Sequence, residues 1–203
     1  GIHVAAVSIQ IGSQVFKDGI DLTPEAFHRN LGEGRELPRS HPVTRGEVLE
    51  ILRRLVVTGD VLAVMCSSAL SQSVDNARGA VADGLPELVQ LRREAGVAAE
   101  PAVHIVDSRQ CSGSLGMLAL FARRMLQLKL APAEVARRLE LLSERFRTVL
   151  MVRSLEYLHR GRGIGDPQQV ARRRKAGHGA TAREFAFLKP IQQPFIIAKL
   201  KPV

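Results

Sequence analysis

Two short apolar runs organise the hydrophobic profile of the chain. They cover residues 61–66 and 102–106, and each is followed by polar residues and then by a helical pattern. Continuous apolar runs of this length are typical of strands buried on both faces of a parallel sheet. Apolar residues three and four positions apart predict amphipathic helices over 48–56, 74–81, 115–126 and 135–146. This alternation predicts an α/β fold with a mostly parallel sheet flanked by helices.

The beginning of the chain shows weaker alternation and more turn signals. Residues 3–11 alternate loosely and predict a strand, with a hairpin partner at 14–16 after Gly12. A short helix is expected from Thr23 to about Asn30. It would start with an N-cap residue, a proline suited to the first helical position and an acidic residue in the first turn.

Further elements follow from local signals. Residues 32–42 contain two glycines and two prolines and predict a loop, and Thr44-Arg45-Gly46-Glu47 matches a capping box at the start of the next helix. Residues 148–152 predict a third strand, and Ser154 is expected to cap a further helix. Residues 185–203 mix apolar residues with three prolines, which is compatible with edge strands or extended chain.

Four serines follow the first apolar run: Ser67, Ser68, Ser71 and Ser73. A strand that ends in hydroxyls at the start of a helix places O–H and N–H donors at the ligand crevice typical of open α/β sheets. The turn contains no acid, histidine or Gly-x-Gly motif, so it predicts a site that holds a carboxylate or phosphate without breaking a bond. The same serines are also typical helix caps, and their spacing leaves both interpretations open.

The net charge of +9 is concentrated in the C-terminal quarter of the chain. Residues 1–152 contain 18 Lys/Arg and 17 Asp/Glu, whereas residues 153–203 contain 11 and 3. The densest basic run is A-R-R-R-K-A at 171–176. A nucleic-acid signature is therefore confined to one segment. With no Trp, one Tyr and 4% aromatic residues in all, the chain is also poor in the aromatic platforms that bind single strands.

Length and composition restrict the class of protein. A chain of 203 residues with mean hydropathy near zero holds one α/β domain, or one domain and part of a second. The apolar runs are too short to span a bilayer. A cytoplasmic location is expected, because no signal-peptide pattern is present and two cysteines, Cys66 and Cys111, form no disulfide framework. The histidines lack metal-ligand spacing, and no G-x-S-x-G motif occurs, so neither a metal nor a catalytic triad is expected.

Several segments, taken in order, resemble the DegV family of fatty-acid-binding proteins. They are G-I-H-V-A-A-V-S-I-Q-I-G…V-F-K-D-G-I-D-L-T-P-E-A-F at 1–27, E-L-P-R-S-H-P-V-T-R-G-E at 36–47, S-S-A-L-S-Q-S-V-D-N-A-R at 67–78, V-D-S-R-Q-C-S-G-S-L-G-M at 106–117 and R-T-V-L-M-V-R-S-L-E-Y-L-H-R-G at 147–161. The match covers residues 1–161, which we expect to form a DegV-like α/β lipid-binding domain. Residues 162–203 are expected to be a basic, atypical segment, either a remnant of a second domain or an unrelated tail.

The resemblance implies a non-catalytic protein that encloses one long-chain fatty acid, such as palmitate or oleate, without another cofactor. The carboxylate-contacting loop threonine of the family falls on Ser40, and the serine of its L-S-G-T turn falls on Ser71. We expect Ser71 and Ser40 to hold the carboxylate, with His41, Ser68 and Ser67 as further candidates. Some family members are the acyl-carrying subunit of a fatty acid kinase, so an ATP-dependent kinase partner is implied. Transient contact with a membrane surface is compatible with that role.

Two alternatives remain open at the level of sequence. One is an α/β domain that associates with nucleic acid through its basic C-terminal segment, in binding that weakens steeply with salt. The other is that residues past about 162 derive from a frame change or a truncation, so that their composition reflects no selected function.

Overall fold

The computed structural model describes residues 2–33, 37–97, 100–148 and 195–199. Over these residues the chain forms seven strands and five helices. The strands are β1 (Ile2–Ala5), β2 (Ser8–Ile11), β3 (Gln14–Lys17), β4 (Arg39–His41), β5 (Val61–Met65), β6 (Val103–Asp107) and β7 (Phe195–Lys199). The helices are α1 (Pro24–Glu33), α2 (Arg45–Val56), α3 (Ser73–Glu94), α4 (Ser112–Gln127) and α5 (Pro132–Arg145).

A four-stranded sheet of order β1-β7-β5-β6 contains the two apolar strands predicted from the sequence. β5 and β6 are parallel, with Val61 opposite Val103, whereas β7 is antiparallel to both of its neighbours. The α/β class is confirmed, and the parallel part of the described sheet is the β5–β6 pair. The expectation of edge strands over 185–203 is wrong for residues 195–199. β7 lies between β1 and β5, so its backbone groups are paired on both sides.

A second sheet has the order β3-β2-β4. The predicted hairpin is confirmed, since β2 and β3 are antiparallel and Gly12 between them has a φ of 61°. The single strand predicted over 3–11 is wrong, because the chain leaves the ladder at residues 6 and 7 and its two halves enter different sheets. The loop predicted over 32–42 is partly wrong: α1 continues to Glu33, and β4 pairs with the open edge of β2.

β5 has helices on both faces, and its side chains alternate between two hydrophobic cores. Residues 61, 63 and 65 belong to the core formed with α2 and α3, and residues 62, 64 and 66 to the core formed with α4 and α5. All six are at most 2% exposed. Burial on both faces explains why this strand is a continuous apolar run and not an alternating one.

The predicted capping box at the start of α2 is present. Thr44 Oγ1 accepts the backbone N–H of Glu47 at 3.3 Å, and Glu47 Oε2 accepts the backbone N–H of Thr44 at 2.8 Å. Both bonds satisfy N–H groups that the helix leaves unpaired. The cap therefore fixes the direction in which the chain leaves β4 and enters α2.

Several predictions fall on residues outside the described ranges. They concern the strand expected over 148–152 beyond Thr148, the helix capped by Ser154 and the basic run at 171–176. The division at residue 161 lies there too, so the domain boundary and the nucleic-acid alternative stay predictions. Within the described ranges, no helix is long and apolar enough to cross a membrane.

Candidate functional site

The turn between β5 and α3, here called the serine turn (residues 67–73), begins with the buried Ser67. The Ser67 N–H donates to the carbonyl of Gln110 at 3.0 Å, and its own carbonyl accepts the N–H groups of Leu70 and Ser71 at 2.9 and 3.0 Å. Its Oγ accepts the N–H of Ala69 at 3.3 Å. These bonds use the polar groups of Ser67 to form the turn itself.

Ser68 joins the serine turn to the neighbouring strand. Its N–H and its hydroxyl both donate to the carboxylate of Asp107, at 3.2 and 2.5 Å. Asp107 also accepts the N–H of Arg109 at 2.9 Å. Since Asp107 ends β6, these bonds connect the two turns that follow the parallel strands, at the edge where ligands of open α/β sheets bind.

Ser71 and Ser73 form a hydroxyl pair at the first turn of α3. Their Oγ atoms are 2.7 Å apart, and Ser71 Oγ also accepts the N–H of Ser73 at 3.3 Å. Ser73 is fully buried and Ser71 is half-buried. Gln72 at the N-cap position makes no side-chain bond to the helix. The pair uses one of its two O–H groups internally, which leaves one donor beside the amides of the first turn.

Ser40 and His41 lie on β4. In the antiparallel pairing with β2, Ser40 is opposite Ile9 and His41 is opposite Ser8. Both residues are exposed. His41 Nε2 is 3.0 Å from Gln10 Oε1, so the imidazole has a polar partner on the adjacent strand. The β4 segment thus presents a hydroxyl and an imidazole at the surface.

Asn76 connects the β4 segment to the start of α3. It lies one turn after Ser73, and its Nδ2 donates to the carbonyl of Val43 at 2.8 Å. Val43 is buried and follows His41 by two residues. Asn76 is not among the site residues predicted from the sequence, although an amide beside the apolar stripe of a helix usually has a partner to satisfy. The bond brings the β4 segment to the same end of α3 as the serine turn.

Gln110 organises the turn after β6 and was also missed from the sequence. It is 4% exposed, and its Nε2 donates to the carbonyls of Ser143 and Phe146 at 3.1 and 3.3 Å. Its Oε1 accepts the hydroxyl of Thr148 at 3.0 Å. The buried Ser108 Oγ exchanges bonds with the Gln110 backbone at 3.1 and 3.2 Å. All these groups are satisfied within the fold, so the network is structural.

The Cys66 thiol is not activated as a nucleophile, and the described residues form no cluster suited to a metal ion. Burial, together with the nearby Cys111 and Asp107, raises the pKa of the Cys66 thiol to about 12. The reactive thiolate is therefore scarce at neutral pH. Among the described residues, no group of three or more His, Cys, Asp or Glu side chains could hold a metal ion. The chemistry of this region rests on hydroxyls and backbone amides.

A groove of about 600 Å³ lies between β1, the residues after β3, and α2. Its apolar lining includes Val4, Ile20 and Ile51, and the ion pair between Lys17 and Glu47 also contributes to it. None of the five predicted site residues lines this groove. The groove is therefore separate from the serine turn, and its lining residues are not part of the site predicted there.

Comparison with known proteins supplies the family. The model of the uncharacterised DegV family matches residues 1–170. A DegV domain-containing protein of Caldanaerobacter subterraneus subsp. tengcongensis is 28% identical over 171 residues, which are 84% of this chain and 56% of that protein. The chain spans about half the length of the curated relatives that it matches first.

Two solved structures share the fold. DegV of Bacillus subtilis, a fatty acid binding protein, matches with a TM-score of 0.65 and 19% identity over 85% of this chain and 55% of its own. The Fatty Acid Kinase (Fak) B3 protein of Streptococcus pneumoniae, loaded with linoleic acid, matches with a TM-score of 0.56 and 19% identity over 68% and 45%. At 19% identity, these two matches show a shared fold and nothing more. Because the family model matches residues 1–170 of its 203 residues, this chain belongs to the DegV family.

Proposed function

We propose that the chain binds a long-chain fatty acid and holds its carboxylate at the serine turn. The observation that carries the proposal is the Ser71–Ser73 hydroxyl pair at the start of α3, where the N-cap side chain makes no bond to the helix. Membership of the DegV family supports it, since the matching structures include a fatty acid binding protein and a protein loaded with linoleic acid.

Ser71 is the main ligand group in this proposal. Its half-buried hydroxyl lies at the positive end of the α3 dipole, and Ser73 orients it through the 2.7 Å contact. A carboxylate at this point accepts the remaining O–H and amide hydrogens of the first helical turn. Hydrogen bonds to a charged acceptor are stronger than those between neutral groups, which favours an ionised head group.

Ser40 provides a second hydroxyl from the β4 segment, and His41 a second polar group beside it. The bond from Asn76 to that segment supports this arrangement, because it ties the segment to α3. Ser67 and Ser68 are assigned to shaping the turn, since their hydroxyls are already bonded within the fold. The head group is thus approached from two different elements.

The acyl tail supplies most of the affinity in this proposal. Each buried CH₂ adds about 0.8 kcal/mol, so a sixteen-carbon chain contributes on the order of 10 kcal/mol before the costs of ordering. A hydrogen bond to a charged group contributes about 1.5–3 kcal/mol. The hydroxyls therefore set the orientation of the ligand more than its total affinity. The chain spans about half the length of its relatives. That this chain encloses the whole tail is therefore part of what we propose.

The proposed role in the cell is that of a carrier that presents the carboxylate to a separate kinase. The likeness to the Fatty Acid Kinase B3 protein supports this role. Hydroxyls and amides that hold a carboxylate without attacking it suit a protein whose partner performs the phosphoryl transfer. The partner would move the terminal phosphoryl group of ATP to a carboxylate oxygen, which gives an acyl phosphate and ADP.

Denaturing extraction of the purified protein, followed by mass spectrometry, tests ligand binding directly. We expect a long-chain fatty acid to co-purify with the protein, and stripped protein to take up palmitate or oleate. Protein that is empty as purified and takes up neither acid would contradict the proposal.

The variant Ser71→Ala tests the position of the head group. Loss of one bond to a charged acceptor should weaken oleate binding by roughly 10- to 100-fold. Binding of oleyl alcohol, which has the same tail but no carboxylate, should change little. Ser13→Ala, at an exposed serine in the β2–β3 hairpin, is the matched control. If Ser71→Ala bound oleate as tightly as the unaltered protein, Ser71 would be excluded from the site.

A further inference from the structure

The side of α4 that points away from the core is apolar. Met117, Leu120 and Phe121 are 48%, 59% and 41% exposed. Their spacing of three and four residues places them on one stripe, opposite the stripe that α4 buries against α5 and the sheet. Phe121 also makes an edge contact with the ring of Phe146, which packs against the core, whereas Met117 and Leu120 belong to neither core cluster. Exposed apolar side chains grouped on one stripe mark a candidate interaction surface.

Cations without acidic partners accompany this stripe. Arg123 and Arg124 follow it within one turn, and the exposed Leu128 and Lys129 come directly after α4. No ion pair joins Arg123, Arg124 or Lys129 to an acidic side chain within the part of the chain that the structure describes. In contrast, Arg137 and Arg138 on α5 both pair with Glu134. We call Met117, Leu120, Phe121, Arg123 and Arg124 the outer face of α4.

Charge is divided between two segments of the chain. Residues 109–147, which contain α4 and α5, carry eight Lys/Arg and three Asp/Glu. Residues 1–108 carry ten Lys/Arg and fourteen Asp/Glu. Within residues 1–147, the part that contains α4 and α5 is therefore the one that a negatively charged surface attracts, and the basic residues 153–203 add to that attraction.

We propose that the outer face of α4 docks on the surface of a bilayer containing anionic phospholipid. Arg123, Arg124 and Lys129 would contact lipid phosphates, while Met117, Leu120 and Phe121 enter the boundary between head groups and acyl chains. A helix with an apolar stripe beside basic residues binds membranes through burial of its apolar side chains and through electrostatic attraction. The attraction depends on anionic lipid. The inference deepens the proposed function. Only the purpose of docking rests on that function, because a fatty-acid carrier at the bilayer would be next to the membrane in which its ligand dissolves.

Other occupants of this face fit its charge less well. A second copy of the chain in a two-fold dimer would place the same patch against itself, with Arg123 and Arg124 facing their own copies. The C-terminal segment 153–203 carries 11 Lys/Arg and 3 Asp/Glu, so it has the same sign of charge as this face. A polyanionic lipid surface complements the cations and also accepts the apolar side chains.

Vesicle sedimentation with the complete chain tests the proposal. Equimolar phosphatidylcholine–phosphatidylglycerol vesicles are compared with phosphatidylcholine vesicles, at low and high salt. We expect binding to the anionic vesicles alone and loss of that binding in high salt. The double variant Arg123→Glu/Arg124→Glu should reduce it at least about tenfold, and Leu120→Gln should also weaken it.

Matched controls on α3 separate a docking surface from a general change in charge or hydropathy. Arg93→Glu reverses an exposed cation and Leu85→Gln replaces an exposed leucine on that helix. Both should bind anionic vesicles as the unaltered protein does. Equal binding to neutral and anionic vesicles, full binding by the α4 variants, or equal losses in the α3 variants would overturn the proposal. So would a concentration-dependent dimer that Leu120→Gln abolishes, because it would assign the face to a second copy.

The fatty-acid content of each preparation keeps this inference distinct from the proposed function. A protein that carries fatty acid but ignores anionic vesicles would overturn the docking surface and leave the proposed function intact. A protein that docks through α4 but neither contains nor takes up fatty acid would support the docking surface and contradict the proposed function.

Discussion

The two helix pairs that enclose β5 are alike on the inside and different on the outside. Both bury fully covered leucines against the strand. The α2–α3 side closes its outer surface with ion pairs of Arg45 with Asp83, and of Arg53 with Glu50 and Glu87. The α4–α5 side also has ion pairs, of Glu134 with Arg137 and Arg138. It exposes more large apolar side chains, however: Met117, Leu120, Phe121, Leu128 and Leu141, against Leu85 on the α2–α3 side.

The difference separates what the fold requires from what it leaves free. The two inner faces follow from the continuous apolar run of β5, which must be covered on both sides. The outer surfaces are under no such requirement, and exposed ion pairs of the α2–α3 kind contribute only about 0.2–1 kcal/mol each. Stability therefore does not dictate the contrast between the outer surfaces, and the proposed docking of α4 would account for it.

The largest expected effect tests whether the two cores are equivalent. Leu52 on α2 is 1% exposed and Leu139 on α5 is 0% exposed. Substitution of either by alanine should lower the free energy of unfolding by about 2–5 kcal/mol, through lost burial and the cavity that remains. Urea unfolding of the two variants measures this, with Leu85→Ala on the exposed side of α3 as the control. A loss well below this range in one variant only would show that the cores are unequal.

A smaller effect concerns the helix starts, which also differ between the two sides. α2 has the capping box of Thr44, whereas Ala131 at the N-cap of α5 makes no side-chain bond. Thr44→Ala should cost about 1 kcal/mol of stability, and Ala131→Ser should gain up to about 1 kcal/mol, because the extended backbone at residue 131 suits a capping hydroxyl. Chemical denaturation measures both. Opposite signs are expected, and a destabilising Ala131→Ser would contradict the comparison.

The smallest effect is a difference in titration between two glutamates. Hydrogen bonds from Arg137 and then Arg138 lower the pKa of Glu134, on α5, to about 2. On α2, burial raises the pKa of Glu47, but hydrogen bonds from Lys17 and Thr44 outweigh it and leave that pKa below the ordinary 4.5. Carboxylates with lowered pKa values stabilise the fold above their ordinary pKa, and this contribution disappears as the pH falls through the lowered value.

NMR-monitored titration measures both midpoints. Glu134 should remain ionised well below pH 4.5 and titrate at about 2. Arg138→Gln, which removes one of its two partners, should raise that midpoint. A Glu134 midpoint near 4.5 in the unaltered protein would show that the α5 arginines are not neutralised, and would weaken the contrast with Arg123 and Arg124.

Local signals predicted the elements that depend on neighbours in sequence. The buried run of β5, the capping box of Thr44 and the stripes of α4 and α5 all appear close to their expected positions. Residues 39–41 and 195–199 were misjudged, because their strands form only by pairing with distant partners. Local composition carries no information about an open edge elsewhere in the chain.

The same limit applies to the candidate site. The strand-to-helix pattern predicted where the serines lie. It did not predict the hydrogen-bond partners that distinguish one serine from another. Ser68 bonds to Asp107, 39 residues away, and Asn76 bonds to the carbonyl of Val43, 33 residues away. Those contacts assign Ser68 to the turn, and the choice of Ser71 as the main ligand group in the proposed site depends on them, because spacing alone does not separate the two serines.

The internal position of β7 constrains the order of events during synthesis. β1 and β5 both pair with β7 and not with each other, so the four-stranded sheet cannot be completed before residues 195–199 have left the ribosome. Until then β5 keeps an unpaired ladder on one side, and pairing over such a separation is slow. The nascent chain therefore carries an open strand edge while all the residues between β5 and β7 are made, and in that state proteins aggregate most readily and chaperones are most needed.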